Sequence, residues 1–263
     1  MNRFLANFLK YRDLLYELVL RDIKIKYRRS ILGMFWSLLN PLLMMIVLTI
    51  VFSHLFRFDI KNYPIYLLTG QIMFAFFSES TSSAMRAIID NASLIKKVYI
   101  PKYIFPVSKV LSSFFNLIFS LLAIVLVTIG MIVLGNNVNL SWTFLLFPIP
   151  LLFILIFSIG IGLILSCYAV FFRDLIHLYS VGLTAWMYLT PIFYPVSIIP
   201  QKYLTLIKLN PMYYFIEYFR KVTFYGTLPT LKETLICILV DIIFLVIGLL
   251  VFYRKQNKFI LYV

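Results

Sequence analysis

Long apolar runs alternate with short polar segments along the whole chain, over 34–56, 64–85, 103–134, 142–172, 175–194 and 231–253. A helix needs roughly 20 apolar residues to cross about 30 Å of hydrocarbon, at about 1.5 Å rise per residue, and these runs are of that length. The pattern predicts an all-α integral membrane fold, a single domain over 1–263 with six transmembrane helices.

The segments between the runs have patterns of their own. Residues 14–33 read as an amphipathic surface helix: Tyr16, Leu20, Ile23, Tyr27 and Ile31 fall on one stripe, and Leu14, Leu18, Ile25 and Leu32 on the opposite side. A helix lying free on a bilayer needs one apolar stripe, so two suggest a place between the bundle or lipid and another protein. A plain interfacial anchor, with Arg28 and Arg29 as topology signals, is the other reading. Between the second and third runs, Asp90, Asn91 or Ser93 can cap a short basic helix over 91–100, which Pro101 ends. After the fifth run, prolines at 191, 195, 200, 211 and 229 forbid one continuous helix, yet the stretch is too apolar for a solvated loop. Two short re-entrant helices within 195–227, reaching membrane depth from one side, satisfy both conditions.

The second run ends in an unusual way, with Ser78, Glu79, Ser80, Thr81, Ser82 and Ser83 in succession. Such residues are tolerated in a span where they face a bundle interior or a wet cavity, which makes Glu79 a candidate lining residue. Alternatively the helix ends early and Glu79 lies among headgroups. Asp241, near the middle of the last run, is assigned a structural hydrogen bond to a neighbouring helix.

Composition agrees with a bilayer environment: 62% of residues are hydrophobic and 13% charged. The net charge of +14 follows from topology. With the N-terminus in the cytoplasm, the inner segments 1–33, 86–109, 171–177 and 254–263 hold 17 Lys and Arg against 7 in the outer ones. Both ends are therefore expected inside, no cleaved targeting sequence is expected before the first span, and nucleic acid is not called upon as a partner. Cys167 and Cys237 lie within apolar runs and read as reduced, buried thiols. His54 and His177 lack a second histidine at ligand spacing, so no metal site is expected. No Gly-x-x-x-x-Gly-Lys-Ser/Thr loop occurs, and Gly160 and Gly162 read as close helix packing. The polar segments are too short to fold into a separate catalytic domain.

LIKKVYIPKYIFPVS after the second span, FFRDLIH after the fourth, and LTPIFYPVSIIP followed by LNPMYYFIEYFR before the sixth complete the picture. Together with the basic helix before the first span they closely resemble the ABC-2 type permeases, over nearly the whole chain. The nearest subgroup exports lipid-linked polysaccharides of O-antigen, capsule or teichoic acid type. The resemblance implies a non-enzymatic permease of the bacterial cytoplasmic (inner) membrane. It would form a homodimer and pair with two copies of an ABC ATPase subunit, which would carry the ATP and Mg; no cofactor is expected on this chain. It also implies an ATPase-contact surface made by Arg21, Asp22, Lys24, Lys26 and Arg28 on the interface helix and by Ser93, Leu94, Lys96, Lys97, Val98 and Tyr99 on the coupling helix. Arg173 and Asp174 match the Phe-Arg-Asp motif near the inner mouth, and Glu217 and Arg220 fall in the second re-entrant helix.

For a conduit passing sugar rings, flat aromatic faces give contact without strong directional trapping. Phe74, Phe77, Tyr188, Phe193 and Tyr194 are the aromatics nearest the polar run or in the fifth span, and with Glu79, Arg173, Asp174, Glu217 and Arg220 they form the expected pathway. An ABC-2 exporter of small drugs or lipids shares the fold and is the alternative. A membrane glycosyltransferase would call for clustered acidic residues to hold a metal and a sugar nucleotide, and none occur; a structural scaffold is the remaining reading.

Overall fold

Helix follows helix along the chain, and no strand occurs among the residues that the computed structural model describes: 10–28, 30–55, 60–98, 100–138 and 141–262. Arg29, Tyr99 and Phe56, which carried sequence expectations, lie outside them. In chain order the helices are α1 (Arg12–Tyr27), α2 (Phe35–Leu55), α3 (Tyr63–Asp90), α4 (Ala92–Lys97) and α5 (Ile104–Val133). There follow a 3-10 turn at Trp142–Leu146, α6 (Pro148–Phe171), α7 (Leu175–Leu189), α8 (Gln201–Lys208), α9 (Pro211–Arg220), a π-helical turn at Lys221–Tyr225, α10 (Leu231–Lys255) and α11 (Phe259–Tyr262).

Among the described residues four stretches are long and apolar enough to cross a membrane: Phe35–Phe52, Ile104–Val133, Trp142–Phe171 and Leu231–Lys258. Two of the six expected spans fall outside that group for different physical reasons. Helix α7 ends at Leu189, short of the 194 read from hydropathy, because Thr190 precedes Pro191 and takes an extended backbone. Helix α3 is ample in length at 28 residues but carries the polar run 78–83.

That run does not end the helix, so the early-termination reading of Glu79 is excluded. The hydroxyls of Ser80 and Thr81 both donate to the Phe77 carbonyl, and the Tyr179 hydroxyl donates to Thr81 Oγ1 at 2.7 Å. Polar groups are thereby satisfied inside the bundle. α3 is the central strut, packed on α5, α6, α2, α9 and α7, and buried along most of its length.

α6 and α10 approach closely at glycines. A Cβ on Gly248 would lie 2.5 Å from the Gly160 carbonyl oxygen, and one on Gly160 would lie 2.7 Å from the Phe244 carbonyl oxygen. Gly162 likewise admits the Ala84 methyl of α3. Small residues let backbones touch where lipid supplies no hydrophobic drive between helices.

α1 stops at Tyr27, earlier than the expected 33, and Gly33 takes a left-handed backbone with φ of 49°. Its buried residues are Leu15, Leu18 and Ile23, while Tyr16 and Ile25 are exposed. The two-stripe pattern is thus corrected: the buried positions take Ile23 from one stripe and Leu18 from the other, with Leu15 from neither. Leu15 and Leu18 join Ala87, Ile88, Ile95, Phe105, Cys167, Phe252 and Phe259 in a cluster at one end of the bundle. The larger core, centred on α3, fills the rest.

Candidate functional site

One face of α3 is left uncovered by the core, along Gln71, Ala75, Ser78, Glu79, Ser82 and Arg86, spaced by three or four residues. Three open cavities adjoin this strip. The first, about 350 Å³, lies between α1, α2, α3 and α5 and includes Lys26, Tyr27, Trp36, Asn40, Gln71, Glu79 and Asn116. A second, about 440 Å³, shares Asn40, Gln71 and Ala75 with it and continues past Ser78 and Ser82 to Ser180, Thr184 and Phe193. A third, about 450 Å³, shares Lys26, Glu79, Ser113 and Asn116 with the first and extends to Arg21, Asp22 and Lys109. The strip therefore walls a polar groove along the bundle.

Glu79 is the hub of that groove. Lys26 Nζ donates to its Oε1 at 2.7 Å, Asn116 Nδ2 at 3.0 Å and Ser113 Oγ at 3.4 Å. Tyr27 donates its hydroxyl to Asn116 Oδ1 at 3.0 Å, so the last turn of α1 is held to both α3 and α5. Farther along α1, Asp22 pairs with Lys109 at 3.1 Å, and Arg21 reaches Asp22 and Asn91 Oδ1, each at 3.1 Å. Asn91 joins α3 to α4 and is anchored by its own Nδ2 on the Ala87 carbonyl. α1 is thereby tied to the turn that joins α3 and α4.

The outer faces of α1 and α4 form a basic surface. Lys24, Lys26, Arg28, Ser93, Lys96, Lys97 and Val98 are exposed, while Ile95 is buried and fixes α4. Close by, Lys102 Nζ donates to the Gln256 carbonyl at 2.7 Å, and burial holds its ammonium below the usual lysine pKa.

At the far end of the groove, Arg220 is 1% exposed and locks the broken region after α7. Its Nη1 donates to Tyr66 Oη at 2.9 Å and the Pro191 carbonyl at 2.8 Å, and its Nη2 to the Ile192 carbonyl at 3.0 Å and the Tyr66 carbonyl at 3.3 Å. The guanidinium carbon lies 3.6 Å from the centre of the Tyr66 ring, a cation–π contact. Gly70 makes this possible, since a Cβ there would meet Nη2 at 2.7 Å. Asn210 adds a second tie: it caps α9 through Met212 N, accepts from Trp186 Nε1 at 2.7 Å and donates to Thr190 Oγ1 at 2.8 Å.

Residues 13–224 match the family described as ABC-2 type transporter. The chain is 33% identical over 249 residues to the O-antigen export system permease protein RfbA of Klebsiella pneumoniae, covering 94% of this chain and 93% of the relative. It is 32% identical over 263 residues to the RfbA permease of Myxococcus xanthus, covering 98% of each. The capsule polysaccharide export inner-membrane protein CtrC of Neisseria meningitidis is 23% identical over 255 residues, covering 95% of this chain and 94% of the relative. The chain belongs to the ABC-2 type transporter family. It is a multi-pass membrane protein of permease type.

Within this ABC-2 protein the expected pathway residues separate. Glu79 lines the groove, and Phe74 and Phe193 border it with little exposed area. Phe77 does not: it is fully buried, stacked on Phe157 at 5.4 Å and set edge-on to Trp186 at 5.1 Å. Phe193 stacks on Phe52 at 5.7 Å; Tyr188 is exposed, and the Tyr194 hydroxyl donates to its carbonyl. Arg173 and Asp174 are exposed at the turn between α6 and α7, away from the groove lining. Arg220 is a buried clamp, with Glu217 half-buried one turn before it on α9. On the contact surface Asp22 is turned inward, its side chain 9% exposed, and Leu94 is half-buried.

Sequence reasoning missed Asn40, Gln71, Asn116 and Trp36. The signal was present for the three amides, which stand within apolar runs where a polar side chain has to find a partner or a cavity. Asp241 also departs from expectation: it is 3% exposed, and neither carboxylate oxygen has a hydrogen-bond partner among the described residues.

Proposed function

We propose that this chain is the membrane subunit of an ATP-driven exporter that moves a lipid-linked polysaccharide, of O-antigen or capsule type, across the cytoplasmic membrane. The observation that carries the reading is the end-to-end identity with permeases named for O-antigen export. In this reading the chain crosses the bilayer six times with both ends in the cytoplasm, α8 and α9 are re-entrant, and two copies assemble with two ATPase subunits. The excess of Lys and Arg in the inner segments supports the orientation.

The geometry gives the reading a mechanism. The basic face of α1 and α4 receives the ATPase, and Asn91 passes its displacement into α3. α3 carries the polar strip, so the groove wall moves with the nucleotide state. Such coupling requires that ATP bind the two arrangements with different affinity.

Deleting the gene should leave completed polymer on its lipid carrier inside the cell, and restoring it should return polymer to the surface. Drug sensitivity with normal surface polymer would instead identify a small-molecule exporter. Reversing both Lys96 and Lys97 to Glu should uncouple ATP hydrolysis from export at normal expression; unchanged coupling would remove α4 from the ATPase contact.

A further inference from the structure

We propose that the cavity between α1, α2, α3 and α5 is a binding site for a sugar ring, a docking place for the glycan within a single subunit. The inference rests on the polysaccharide reading above and adds a site to it. Its volume, about 350 Å³, lies at the lower end of the range of small-molecule sites.

Its chemistry selects a neutral, hydroxyl-rich ligand. The charged residues lining it are Lys26 and Glu79, which pair with each other at 2.7 Å. An anion such as a diphosphate would face the Glu79 carboxylate and a lysine already engaged. The rest of the lining mixes hydroxyl and amide groups, Asn40, Gln71, Ser113 and Asn116 among them, with apolar surface from Pro41, Ile72 and Leu117, the combination of polar edge and apolar face that a sugar ring presents. Trp36 stands 47% exposed at the cavity, with a flat face suited to the C–H side of a pyranose.

One buried acceptor at the cavity lacks a donor: Gln71 Oε1 has no hydrogen-bond partner among the described residues. Three donors converge on Glu79 Oε1, while the side chain is 42% exposed, so its other oxygen is open to solvent or to a ligand hydroxyl. Buried polar atoms are normally paired, so an orphan amide oxygen beside an open cavity marks where a ligand hydroxyl belongs. Asn40, exposed and common to this cavity and the next along the groove, offers both a donor and an acceptor.

The site is also placed to sense the coupling unit. Lys26 and Tyr27 belong to the last turn of α1, so a ring bound against Glu79 and Asn116 touches the helix that the ATPase would move.

Ala75 lies on the exposed strip between Gln71 and Glu79, takes no part in a polar contact, and borders the cavity. Ala75→Cys in the full transporter, reconstituted in nanodiscs, therefore gives a reporter thiol, because the native Cys167 and Cys237 are buried. The measurement is its alkylation rate by a water-soluble maleimide. Probes are methyl glycosides of glucose, galactose, mannose and N-acetylglucosamine, and acid-released oligosaccharide from the surface polymer of the producing strain. Inorganic pyrophosphate is the anionic comparison. The expected result is a saturable, severalfold slowing by at least one sugar and none by pyrophosphate. Trp36→Ala and Gln71→Leu should each abolish the protection, read as the ratio of protected to unprotected rate within each variant. Absence of alkylation, absence of protection by every sugar, protection by pyrophosphate, or protection surviving Trp36→Ala would each overturn the site. If polymer export is intact while protection fails, the pocket alone is refuted; if the deletion strain exports normally, the function reading falls.

Discussion

Arg220 and Gly70 form a pair whose coupling can be measured. The Arg220 guanidinium makes four hydrogen bonds, three of them to backbone carbonyls, with no carboxylate within ion-pair distance among the described residues. A hydrogen bond from a charged donor is worth about 1.5–3 kcal/mol net, against a desolvation cost of several kcal/mol for the buried cation. Arg220→Met leaves the Ile192 carbonyl without its donor, while Tyr63 and Tyr66 of α3 still hold the chain after α7 through the Phe193 and Tyr194 carbonyls. The expected loss is about 1–3 kcal/mol, the cost of leaving a buried neutral acceptor without its donor. At roughly 2–4 °C per kcal/mol for a chain of this size, the melting temperature in detergent should fall by about 2–12 °C.

Gly70→Ala tests the cause. In the native background the new Cβ meets Nη2 at 2.7 Å and Ile192 Cγ2 at 3.2 Å, so the guanidinium must leave its carbonyls, and overpacking of about 1–3 kcal/mol follows. In the Arg220→Met background the first clash is gone, and alanine's better helix propensity, about 0.5–1 kcal/mol over glycine, should make the same change nearly neutral or stabilising. The assay is a thermal-unfolding cycle of the four proteins, read by fluorescence-detected size exclusion. An equal cost of Gly70→Ala with and without Arg220 would refute the reasoning, as would an Arg220→Met protein as stable as the parent.

Three shorter predictions concern other contacts. Gly248→Ala should cost about 1–3 kcal/mol in the same unfolding assay, since its Cβ would lie 2.5 Å from the Gly160 oxygen; native stability would mean that α6 and α10 part without penalty. Lys26→Glu and Glu79→Lys should each shift stability by no more than about 1 kcal/mol, because both side chains are over 40% exposed, yet each should lower export and the exchanged pair should restore it. Export unaffected by the single reversals would deny the pair a functional role. Asp241→Leu should raise the melting temperature, because it removes a buried carboxylate with no partner among the described residues; a fall would show that the carboxylate is engaged.

The sequence carried the helical architecture because hydropathy integrates over a whole span, and a run such as 231–253 leaves little alternative. It also carried the importance of the 78–83 run, since a carboxylate amid hydroxyls within a span has few tolerable surroundings. It did not carry which face of a helix turns inward. On α1 the spacing suggested Tyr16 and Ile23 on one stripe, but Tyr16 is exposed while Leu15 and Leu18 are buried, because α5 and the α4 region decide the inward face. Phe77 and Phe74 are neighbours in sequence with different surroundings, one enclosed by Phe157 and Trp186 and the other beside the groove. Aromatic content sets neither outcome. The Arg220 clamp was hidden for a related reason: an arginine near the membrane surface is usually a solvated anchor, and its burial depends on Gly70 and on carbonyls freed by Pro191, far away in sequence.

These features meet on α3, and its continuity gives the arrangement mechanical sense. Its 28 residues span about 42 Å as one uninterrupted helix. One end is fastened through Asn91 to Arg21 and α4, the middle through Glu79 to Lys26, and the far half through Tyr66 to Arg220 and the chain after α7. A packed helix transmits displacement along its axis better than it bends, so a load at α4 reaches both Glu79 and the Tyr66–Arg220 contact. The two ends are not fastened equally. The Lys26–Glu79 pair is over 40% exposed on both sides, worth little and easily exchanged, whereas Arg220 is enclosed and multiply bonded, and Asp22, 9% exposed between Lys109 and Arg21, holds α1 more firmly than Lys26 does. In the proposed exporter, a load at α4 should therefore release the Lys26–Glu79 contact and the adjoining wall of the groove before it disturbs the clamped end.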